Sequence, residues 1–440
     1  SRRGLNGGVF LYVGFAKIDI TPPQGLPLGG YIRRGNKHAV GVMDRLYARV
    51  SAIDSSDQVV VVVLLELLAV DADLAAAIRA ALQNDGEEIE VITCCTHTHS
   101  APDVLMEQPA SETTAAEMTG YRDFVVARVR AGFELARKAI HERTEVDLYY
   151  SEAAVDGVAA NRIDPDRFID NTVRVLAVRS RTDGRLMGVV ANFACHPTVL
   201  GHDNFLYSGD IFGRAMDFVE WETKSICLLT NGASGDVSTR FTRQRQTHEE
   251  VHRLGRILAD RILACLGEGD LVTDRTLWCH TARCILPLQE LPSADEIAAR
   301  IAQLRTEVAR EGASCAGGEI RKRESIVEGL EAMLGHAVHR RETTAVAVLT
   351  ALRLGNVSFV TVPGELTQTT RREIISSLPG GERVVLLGLS NDYLGYFPTA
   401  DMIAAGTYEA LASRFDSEAT QILTEHIVEL LSKPGKELYP

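Results

Sequence analysis

Residues 91–102 read V-I-T-C-C-T-H-T-H-S-A-P, and the interpretation of the whole chain starts from this stretch. An apolar run with several β-branched residues ends in two histidines, His97 and His99, which one threonine separates. Alternate residues of a β-strand face the same side, so a strand through this stretch would point both imidazoles into one pocket. Neutral imidazole is a common zinc ligand, so the pair is a candidate metal site. Two polar histidines in a turn would fit an isolated H-x-H equally well.

Strand-like and helical stretches alternate along the rest of the chain. Residues 47–70 predict two strands, the second of them apolar and buried, and residues 71–84 predict an amphipathic helix. A long helical stretch follows at 112–142, and residues 188–195 predict another buried strand. This alternation predicts an α/β fold, with a mixed, largely buried β-sheet flanked by helices and a metal site at strand ends.

The later part of the chain contains a charged segment with helical periodicity. Residues 293–340, interrupted at positions 316–318, predict a pair of helices on the outside of the fold, and one last helix is predicted over 408–433. No internal repeat or low-complexity segment divides the sequence. We therefore expect a single catalytic domain over residues 1–440, with the helical excursion at about 293–340.

The composition is that of an ordinary soluble globular protein, with 45% hydrophobic and 24% charged residues. A net charge of −13 disfavours nucleic acids and anionic membranes as partners. The apolar run at 59–70 is too short to span a bilayer, and the N-terminus lacks the apolar core of a signal peptide, so we expect no stable membrane insertion. Eight cysteines without C-x-x-C spacing fit a reducing, cytoplasmic location. The oligomeric state stays open, and a homo-oligomer is compatible with the sequence.

Several apolar runs end in a side chain that can bind a metal. They end at His97, His196, Glu365 and either Tyr393 or Tyr396. Two histidines with one carboxylate are a standard catalytic zinc set that leaves a position for water. Ligands so far apart in sequence converge only if their strand ends do, which parallel strands of one sheet allow. Each position alone is a weak signal, because a histidine at a strand end is more often a hydrogen-bonding turn residue.

Eight short motifs together resemble those of a known family. In chain order they are K-I-D-I-T-P-P, G-G-Y, C-T-H-T-H-S-A-P, A-N-R, F-A-C-H-P with S-G-D, N-G-x-x-G-D-V-S, V-P-G-E and N-D-Y-x-x-Y. The ordered series resembles the neutral ceramidase family, whose members are zinc amidases that cleave the N-acyl bond of a sphingoid base. The resemblance implies a hydrolase acting on a carbon–nitrogen bond.

The resemblance also implies a ligand set for one zinc ion per chain. This set is His97, His196 and Glu365, with Tyr396 touching the metal and supporting an oxyanion. His99 matches the general base that acts on the attacking water. The chemistry agrees, because zinc polarises a carbonyl and lowers the pKa of water to about 7, and an imidazole can pass the proton to the leaving amine.

Further positions match groups around the metal in that family. The resemblance implies substrate-holding groups at Gly30, Arg162 and Tyr408, and supporting carboxylates behind the site at Asp210 and Asp236. Secreted members also carry an export signal and a C-terminal β-sandwich domain, and neither is recognisable in this sequence. We therefore expect a small-molecule or lipid-like acyl substrate, in the first place a soluble N-acyl amine or related ester.

Three alternatives remain open at this level. An amidohydrolase built on a (β/α)8 barrel, acting on a cyclic amide or lactone, also opens with H-x-H at a strand end, but usually on its first strand. A serine nucleophile at Ser234 or Ser238 would need the strained G-x-S-x-G turn, which G-A-S-G-D lacks. A non-catalytic, metal-stabilised binding protein would need a closed four-ligand site, for which structural zinc usually uses cysteines.

Overall fold

The computed structural model describes residues 10–35, 37–55, 58–83, 89–105, 111–142, 144–311 and 317–432. Their α-helices are α1 (Ala72–Leu82), α2 (Glu112–His141), α3 (Asp210–Thr223), α4 (His248–Cys265), α5 (Ala294–Glu311), α6 (Gly317–His339), α7 (Gln368–Ser377), α8 (Ala400–Ala405), α9 (Tyr408–Leu411) and α10 (Ser417–Ser432). Their strands are β1 (Tyr12–Asp19), β2 (Gly41–Val42), β3 (Tyr47–Asp54), β4 (Val59–Leu65), β5 (Ile89–Cys95), β6 (Val146–Ala154), β7 (Ala160–Asn161), β8 (Thr172–Ser180), β9 (Leu186–Phe193), β10 (Leu206–Tyr207), β11 (Ile226–Asn231), β12 (Val237–Ser238), β13 (Asp270–Leu271), β14 (Leu277–Pro287), β15 (Thr344–Leu354), β16 (Val357–Thr361), β17 (Glu365–Leu366), β18 (Arg383–Leu387) and β19 (Tyr396–Phe397).

The longer strands form three mixed sheets. Their strand orders are β1-β3-β4-β5, β11-β9-β8-β6-β13 and β14-β15-β16-β18, and each order contains both parallel and antiparallel neighbours. Short parallel pairs, β2 with β10 and β17 with β19, lie beside them. The predicted mixed α/β fold is confirmed. The (β/α)8 alternative does not describe this arrangement, because the sheets are separate and contain antiparallel pairs.

Strand β4 shows why the apolar run at 59–70 contains almost no polar residue. All seven of its side chains are buried. Val60, Val62 and Leu64 pack into a core shared with the second sheet, whereas Val61 and Val63 face the core formed with α1 and α2. A strand covered on both faces has no position that needs a polar side chain, so the alternating pattern of a half-exposed strand is absent.

One hydrophobic core joins the three sheets. It contains Val62 of the first sheet, Val175 and Val189 of the second, and Leu352 and Phe359 of the third. Helices α3 and α4 contribute their apolar faces to the same core, and α2 packs across the opposite face of the first sheet. The ends of all three sheets are therefore held at fixed distances from one another.

The helical pair α5 and α6 packs on this body through a small core of its own. That core contains Ile297, Ile301, Leu304, Val327, Leu330 and Met333, with Leu411 of α9 against it. The predicted break between the two helices falls partly outside the described residues, and α6 begins at Gly317.

The single last helix predicted over 408–433 is wrong. The structure has α9 and α10 there, with a non-helical segment at 412–416 between them, and position 433 lies outside the described residues. Asp416 accepts hydrogen bonds from the backbone N–H groups of Glu418 and Ala419, and this capping begins a new helix.

None of the described helices combines the length and the apolar character that crossing a bilayer requires.

Candidate metal centre and active site

His97 and His99 follow β5 but do not lie on it. The strand ends at Cys95, and His97 has a φ angle of 72°, in the left-handed region. The prediction that strand alternation directs both imidazoles to one side is therefore wrong in its mechanism. The two rings nevertheless meet edge to face, with centroids 5.0 Å apart.

Backbone carbonyls orient the imidazoles of His97 and His196. His97 Nδ1 lies 2.8 Å from the carbonyl oxygen of Leu68, and His196 Nδ1 lies 2.7 Å from that of Ser234. Donation from Nδ1 leaves the lone pair on Nε2, which is the arrangement of metal-binding histidines. Burial, followed by the charge of Arg162, lowers the pKa of His196 to about 4, so its ring is neutral at pH 7.

Glu365 brings a carboxylate to both of these rings. Its Oε2 atom lies 2.9 Å from His196 Nε2 and 3.5 Å from His97 Nε2, and all three side chains are buried. Tyr393 Oη donates a hydrogen bond to the other oxygen, Oε1, at 2.7 Å. Burial raises the pKa of the Glu365 carboxyl, but the neighbouring His97 and His196 lower it by a larger amount. The net result is a pKa well below the usual range of a glutamate.

These atoms fit a metal ion by their own chemistry. A carboxylate oxygen and the Nε2 lone pairs of two imidazoles repel one another at such distances unless a proton or a cation lies among them. His97 Nε2 and Glu365 Oε2 have no hydrogen-bond partner within the described part of the chain. A divalent cation would satisfy these buried atoms.

A three-imidazole grouping is also present. One nitrogen from each of His97, His99 and His196 lies within 4.8 Å of the others. Both nitrogens of His99 are buried and lack a hydrogen-bond partner among the described residues. Burial, then His97 and His196, lowers the pKa of His99 well below its usual value, so this ring is also neutral.

Tyr396 and Arg162 lie directly beside the histidines. The register of β17 and β19 pairs Glu365 with Tyr396, which places the tyrosine next to the carboxylate. Arg162 donates to Tyr396 Oη at 3.1 Å and approaches His196 Nε2 at 3.1 Å. Its guanidinium also lies 5.7 Å from the centre of the Tyr408 ring. Two predicted substrate-holding residues, Arg162 and Tyr408, are thus brought together at the histidines.

Gly30 lies against His99. Its φ angle is 92°, and a Cβ atom at this position would lie 2.3 Å from His99 Nδ1. Only glycine allows this approach, because any side chain would collide with the imidazole. The ring of Tyr31 packs on the other side, with centroids 4.8 Å apart.

Asp210 and Asp236 support the chain behind the site, and among the described residues neither carboxylate hydrogen-bonds to an imidazole. Asp210 accepts from the backbone N–H groups of Leu200 and Ile211, and burial raises its pKa to about 6. Asp236 accepts from the Gln368 backbone N–H, and its carbonyl oxygen accepts from that of Arg162. Both acids therefore fix segments that carry site residues.

Two buried residues that the sequence did not single out also organise the site. Arg34 donates to the carbonyl oxygens of Gly29, His99, Gly201 and His202. Its position in a polar loop gave no sequence signal. Asn231, in contrast, did carry a sequence signal that could have identified it, because it begins the N-G-x-x-G-D-V-S motif at the end of β11.

Asn231 links the two histidine segments. Its Nδ2 group donates to the carbonyl oxygens of Thr96 and Cys195 at 3.1 and 2.9 Å, and its Oδ1 atom accepts from the Cys195 N–H at 3.2 Å. Thr96 immediately precedes His97, and Cys195 immediately precedes His196. One buried amide thus holds together the chain segments that enter the site from two sheets.

The ligand candidates converge from three sheets, not from parallel strands of one sheet as the sequence suggested. His97 follows β5 of the first sheet, His196 follows β9 of the second, and Glu365 follows β16 of the third. Connecting segments join these sheet ends. The Cys95 N–H donates to the Leu389 carbonyl, and the Val362 N–H donates to that of Leu387.

His99, Arg162, Tyr396 and Tyr408 line a cavity of about 650 Å³ beside the ligand candidates, and Glu328 of α6 also lines it. One face of the outer helical pair therefore forms a wall of the cavity.

Among the described residues, neither serine of the alternative reading hydrogen-bonds to an activating base. Ser234 Oγ has no hydrogen-bond partner in the described residues, and Ser238 Oγ accepts from the backbone N–H of Arg240 at 3.2 Å. A nucleophilic serine would be expected to hydrogen-bond to a histidine or lysine side chain.

Comparisons with known proteins place this geometry in context. The family model for neutral/alkaline non-lysosomal ceramidase, N-terminal, matches residues 11–238, a little over half of the chain. The crystal structure of neutral ceramidase from Pseudomonas aeruginosa has a TM-score of 0.73 at 17% sequence identity, over 96% of this chain and 74% of that one. A ceramidase structure complexed with C2 has the same TM-score at 16% identity, over 96% and 75%. No curated protein matches the chain. At these identities the structural likeness establishes a shared fold, which extends well beyond residue 238.

Proposed function

The chain belongs to the neutral/alkaline non-lysosomal ceramidase family, and on that premise we propose that it is a zinc-dependent hydrolase that cleaves an N-acyl amide bond with water. One observation carries this proposal: Glu365 Oε2 lies within 3.5 Å of His97 Nε2 and 2.9 Å of His196 Nε2. The Nδ1 atoms of the same two histidines contact backbone carbonyl oxygens, which leaves the Nε2 atoms to face the carboxylate. Two neutral imidazoles and one carboxylate are a common catalytic zinc set with a position left for water.

In this proposal His97, His196 and Glu365 would hold one zinc ion per chain, with Tyr396 as a further candidate ligand. When bound, zinc supplies a Lewis acid that polarises the acyl carbonyl and lowers the pKa of a water molecule to about 7. His99 is assigned to proton transfer, because neither of its nitrogens is committed to a backbone carbonyl. The family resemblance supports the same division of roles.

The surrounding residues then complete a hydrolytic reaction. His99 accepts a proton from the attacking water and passes it to the leaving amine. Arg162 donates to Tyr396 Oη at 3.1 Å, and Oη lies 3.5 Å from His196 Nε2, so the tyrosine O–H stands beside the proposed metal ligands as the group assigned to stabilise the oxyanion. The Gly30 backbone N–H is a second proposed donor, and each such donor can contribute about 3 kcal/mol. Arg162 and Tyr408 hold the polar part of the substrate.

The proposed substrate is a soluble N-acyl amine or a related ester. Charged and polar side chains, among them Arg162, Arg243 and Glu328, line the cavity, and its volume of about 650 Å³ suits a small acyl compound. We also propose that residues 1–440 act as one catalytic domain in the cytoplasm. The described cysteines are buried and free, which supports a reducing compartment.

Metal analysis of the His97→Ala variant tests the proposed ligand set. We expect the wild type to contain one zinc ion per chain and His97→Ala to lose it, together with hydrolysis of N-hexanoylethanolamine. His141→Ala is the matched control, because this exposed histidine lies at the end of α2 and should leave both properties unchanged. Full zinc content in His97→Ala would remove this residue from the ligand set.

A further inference from the structure

Two of the arginines that line the cavity form ion pairs with carboxylates that also line it. Arg33 forms ion pairs with Glu324 and Glu328 of α6 at 3.1 and 2.5 Å. Arg162 forms an ion pair with Glu409 at 2.7 Å. All five residues line the cavity, so the positive charges on these two sides are compensated by carboxylates.

Arg243 occupies a third side of the cavity without such compensation. Its Nη1 atom donates to the Thr198 carbonyl oxygen at 2.6 Å and to Thr239 Oγ1 at 3.4 Å. No carboxylate among the described residues forms an ion pair with it. The buried acid Asp210 senses its charge, but hydrogen bonds from backbone N–H groups hold the oxygens of that acid. Arg243 is half-buried, so water only partly screens its charge.

A hydrogen bond ties Arg243 to the chain segment that follows His196. Its contact residue Thr198 is two positions from His196. Arg240 adds a second guanidinium to the same side of the cavity and donates to the Arg162 carbonyl oxygen at 3.1 Å. A substrate held at His196 and Arg162 could therefore extend a further group to this pair of arginines.

We propose that the substrate is an N-acyl compound that carries an anionic group, a carboxylate or sulfonate, and that Arg243, with Arg240 beside it, binds that group. A guanidinium with free N–H donors in a half-buried site binds such an anion strongly and with defined geometry. The net charge of −13 repels anions in general, so binding of an anionic group would depend on local positive charge such as that of Arg243. This proposal rests on the proposed function, and it specifies a charge that an N-acyl sphingoid base lacks.

The test uses amides that differ only in one terminal group. N-Hexanoylethanolamine is neutral, N-hexanoyl-β-alanine and N-hexanoyltaurine are anionic, and N-hexanoylethylenediamine is cationic, all with the same two-carbon spacer. A second pair, adipoyl monoethanolamide and N-hexanoylethanolamine, places the charge on the acyl side. We expect kcat/KM to be at least about tenfold higher for the anionic members of one series than for the neutral compound, and lowest for the cation.

Substitutions connect this preference to Arg243. In Arg243→Gln the ratio of anionic to neutral kcat/KM should fall about tenfold, and Arg243→Lys should restore part of it because it retains the charge. Arg185→Gln is the control, since this exposed arginine lies in the turn before β9 and should leave the ratio unchanged. An anionic preference below twofold in both series, or a ratio that Arg243→Gln does not alter, would overturn the proposal.

Calorimetric binding to the His99→Ala variant separates this inference from the proposed function. If no compound is hydrolysed by the wild type, the proposed function fails. In that case the anion site can still be tested by binding alone. It is supported if N-hexanoyltaurine binds more tightly than N-hexanoylethanolamine and if Arg243→Gln removes this difference. Equal binding of both compounds would contradict that site.

Discussion

His97 and His99 lie one residue apart, and their hydrogen bonds indicate different roles. The Nδ1 atom of His97 contacts a backbone carbonyl, whereas both nitrogens of His99 lack partners in the described part of the chain. We expect His99→Ala to retain its zinc and to lose about 10²–10⁴ in kcat, the usual contribution of general acid–base catalysis. Metal analysis and steady-state kinetics on the same preparation check both parts. Loss of zinc from this variant would assign His99 to the metal.

Asn231 is expected to affect metal binding without touching the metal. Asn231→Asp removes the donors for the Thr96 and Cys195 carbonyl oxygens, so the segments before His97 and His196 lose their common clamp. We expect a loss of roughly 2–6 kcal/mol in the free energy of unfolding, at about 1–3 kcal/mol for each of the two unsatisfied carbonyl groups. Zinc affinity should also fall, by about 10–100-fold.

Asn192→Asp is the matched control for this variant. Asn192 is also buried, and its Nδ2 group donates to Thr230 and to the Leu386 carbonyl oxygen, neither of which belongs to the Thr96–His97 or Cys195–His196 segment. It should lose similar stability in chemical denaturation but keep its zinc affinity. Equal zinc affinities of the two variants would show that Asn231 has only a structural role.

At the level of secondary-structure elements, the start of α3 contributes a pH-dependent term to stability. Burial raises the pKa of Asp210 from 3.8 to about 6 in the folded chain. Between about pH 4 and pH 6 the unfolded chain has released this proton and the folded chain retains it, so stability falls as the pH rises. Asp210→Asn should lack this decline, which amounts to at most about 3 kcal/mol. Denaturation midpoints of both proteins from pH 4 to 7 check the difference; a constant difference would contradict it.

The contact between α6 and α9 should control the shape of the cavity. A Cβ atom at Gly329 would lie 2.8 Å from Leu411 Cβ, so Gly329→Val should separate α6 from the helix that carries Tyr408. We expect KM to rise several-fold while zinc content is unchanged. Gly120→Ala in α2 is the control, because nothing lies within 4 Å of a Cβ there, and it should stabilise the protein by about 0.5–1 kcal/mol. An unchanged KM in Gly329→Val would separate α6 from substrate binding.

Local patterns in the sequence predicted the elements better than their assembly. The apolar run at 59–70 identified β4 because a strand buried on both faces has no polar position, and the periodicity of 112–142 identified α2. The left-handed conformation of His97 and the break at 412–416 depend on single turns and caps, which periodicity does not report. These were the errors at the element level.

Across the whole molecule, the site could be predicted only as a set of residues. Strand ends and motif order indicated His97, His196 and Glu365, and the structure brings these side chains together. Their arrival from three sheets, and the wall that α6 adds, depend on long-range packing for which one sequence offers no local signal. The role of Arg34 could not be predicted for the same reason, because most of its partners are backbone carbonyls of segments distant in sequence.

Because the proposed ligands come from three sheets that share one core, metal binding should stabilise the whole described body. A metal that binds only the folded state adds to the free energy of unfolding, and the shared core would distribute this gain over all three sheets. This consequence agrees with the proposal of one catalytic domain.

Removal and return of zinc is therefore the most direct measurement of the central proposal. Purified protein is treated with a chelator, dialysed and reloaded with one equivalent of zinc, and its metal content, thermal midpoint and hydrolysis of N-hexanoyltaurine and N-hexanoylethanolamine are followed throughout. We predict that hydrolysis disappears with the metal, that the thermal midpoint falls, and that one zinc ion per chain restores both. Hydrolysis at the full rate by metal-free protein would contradict the account.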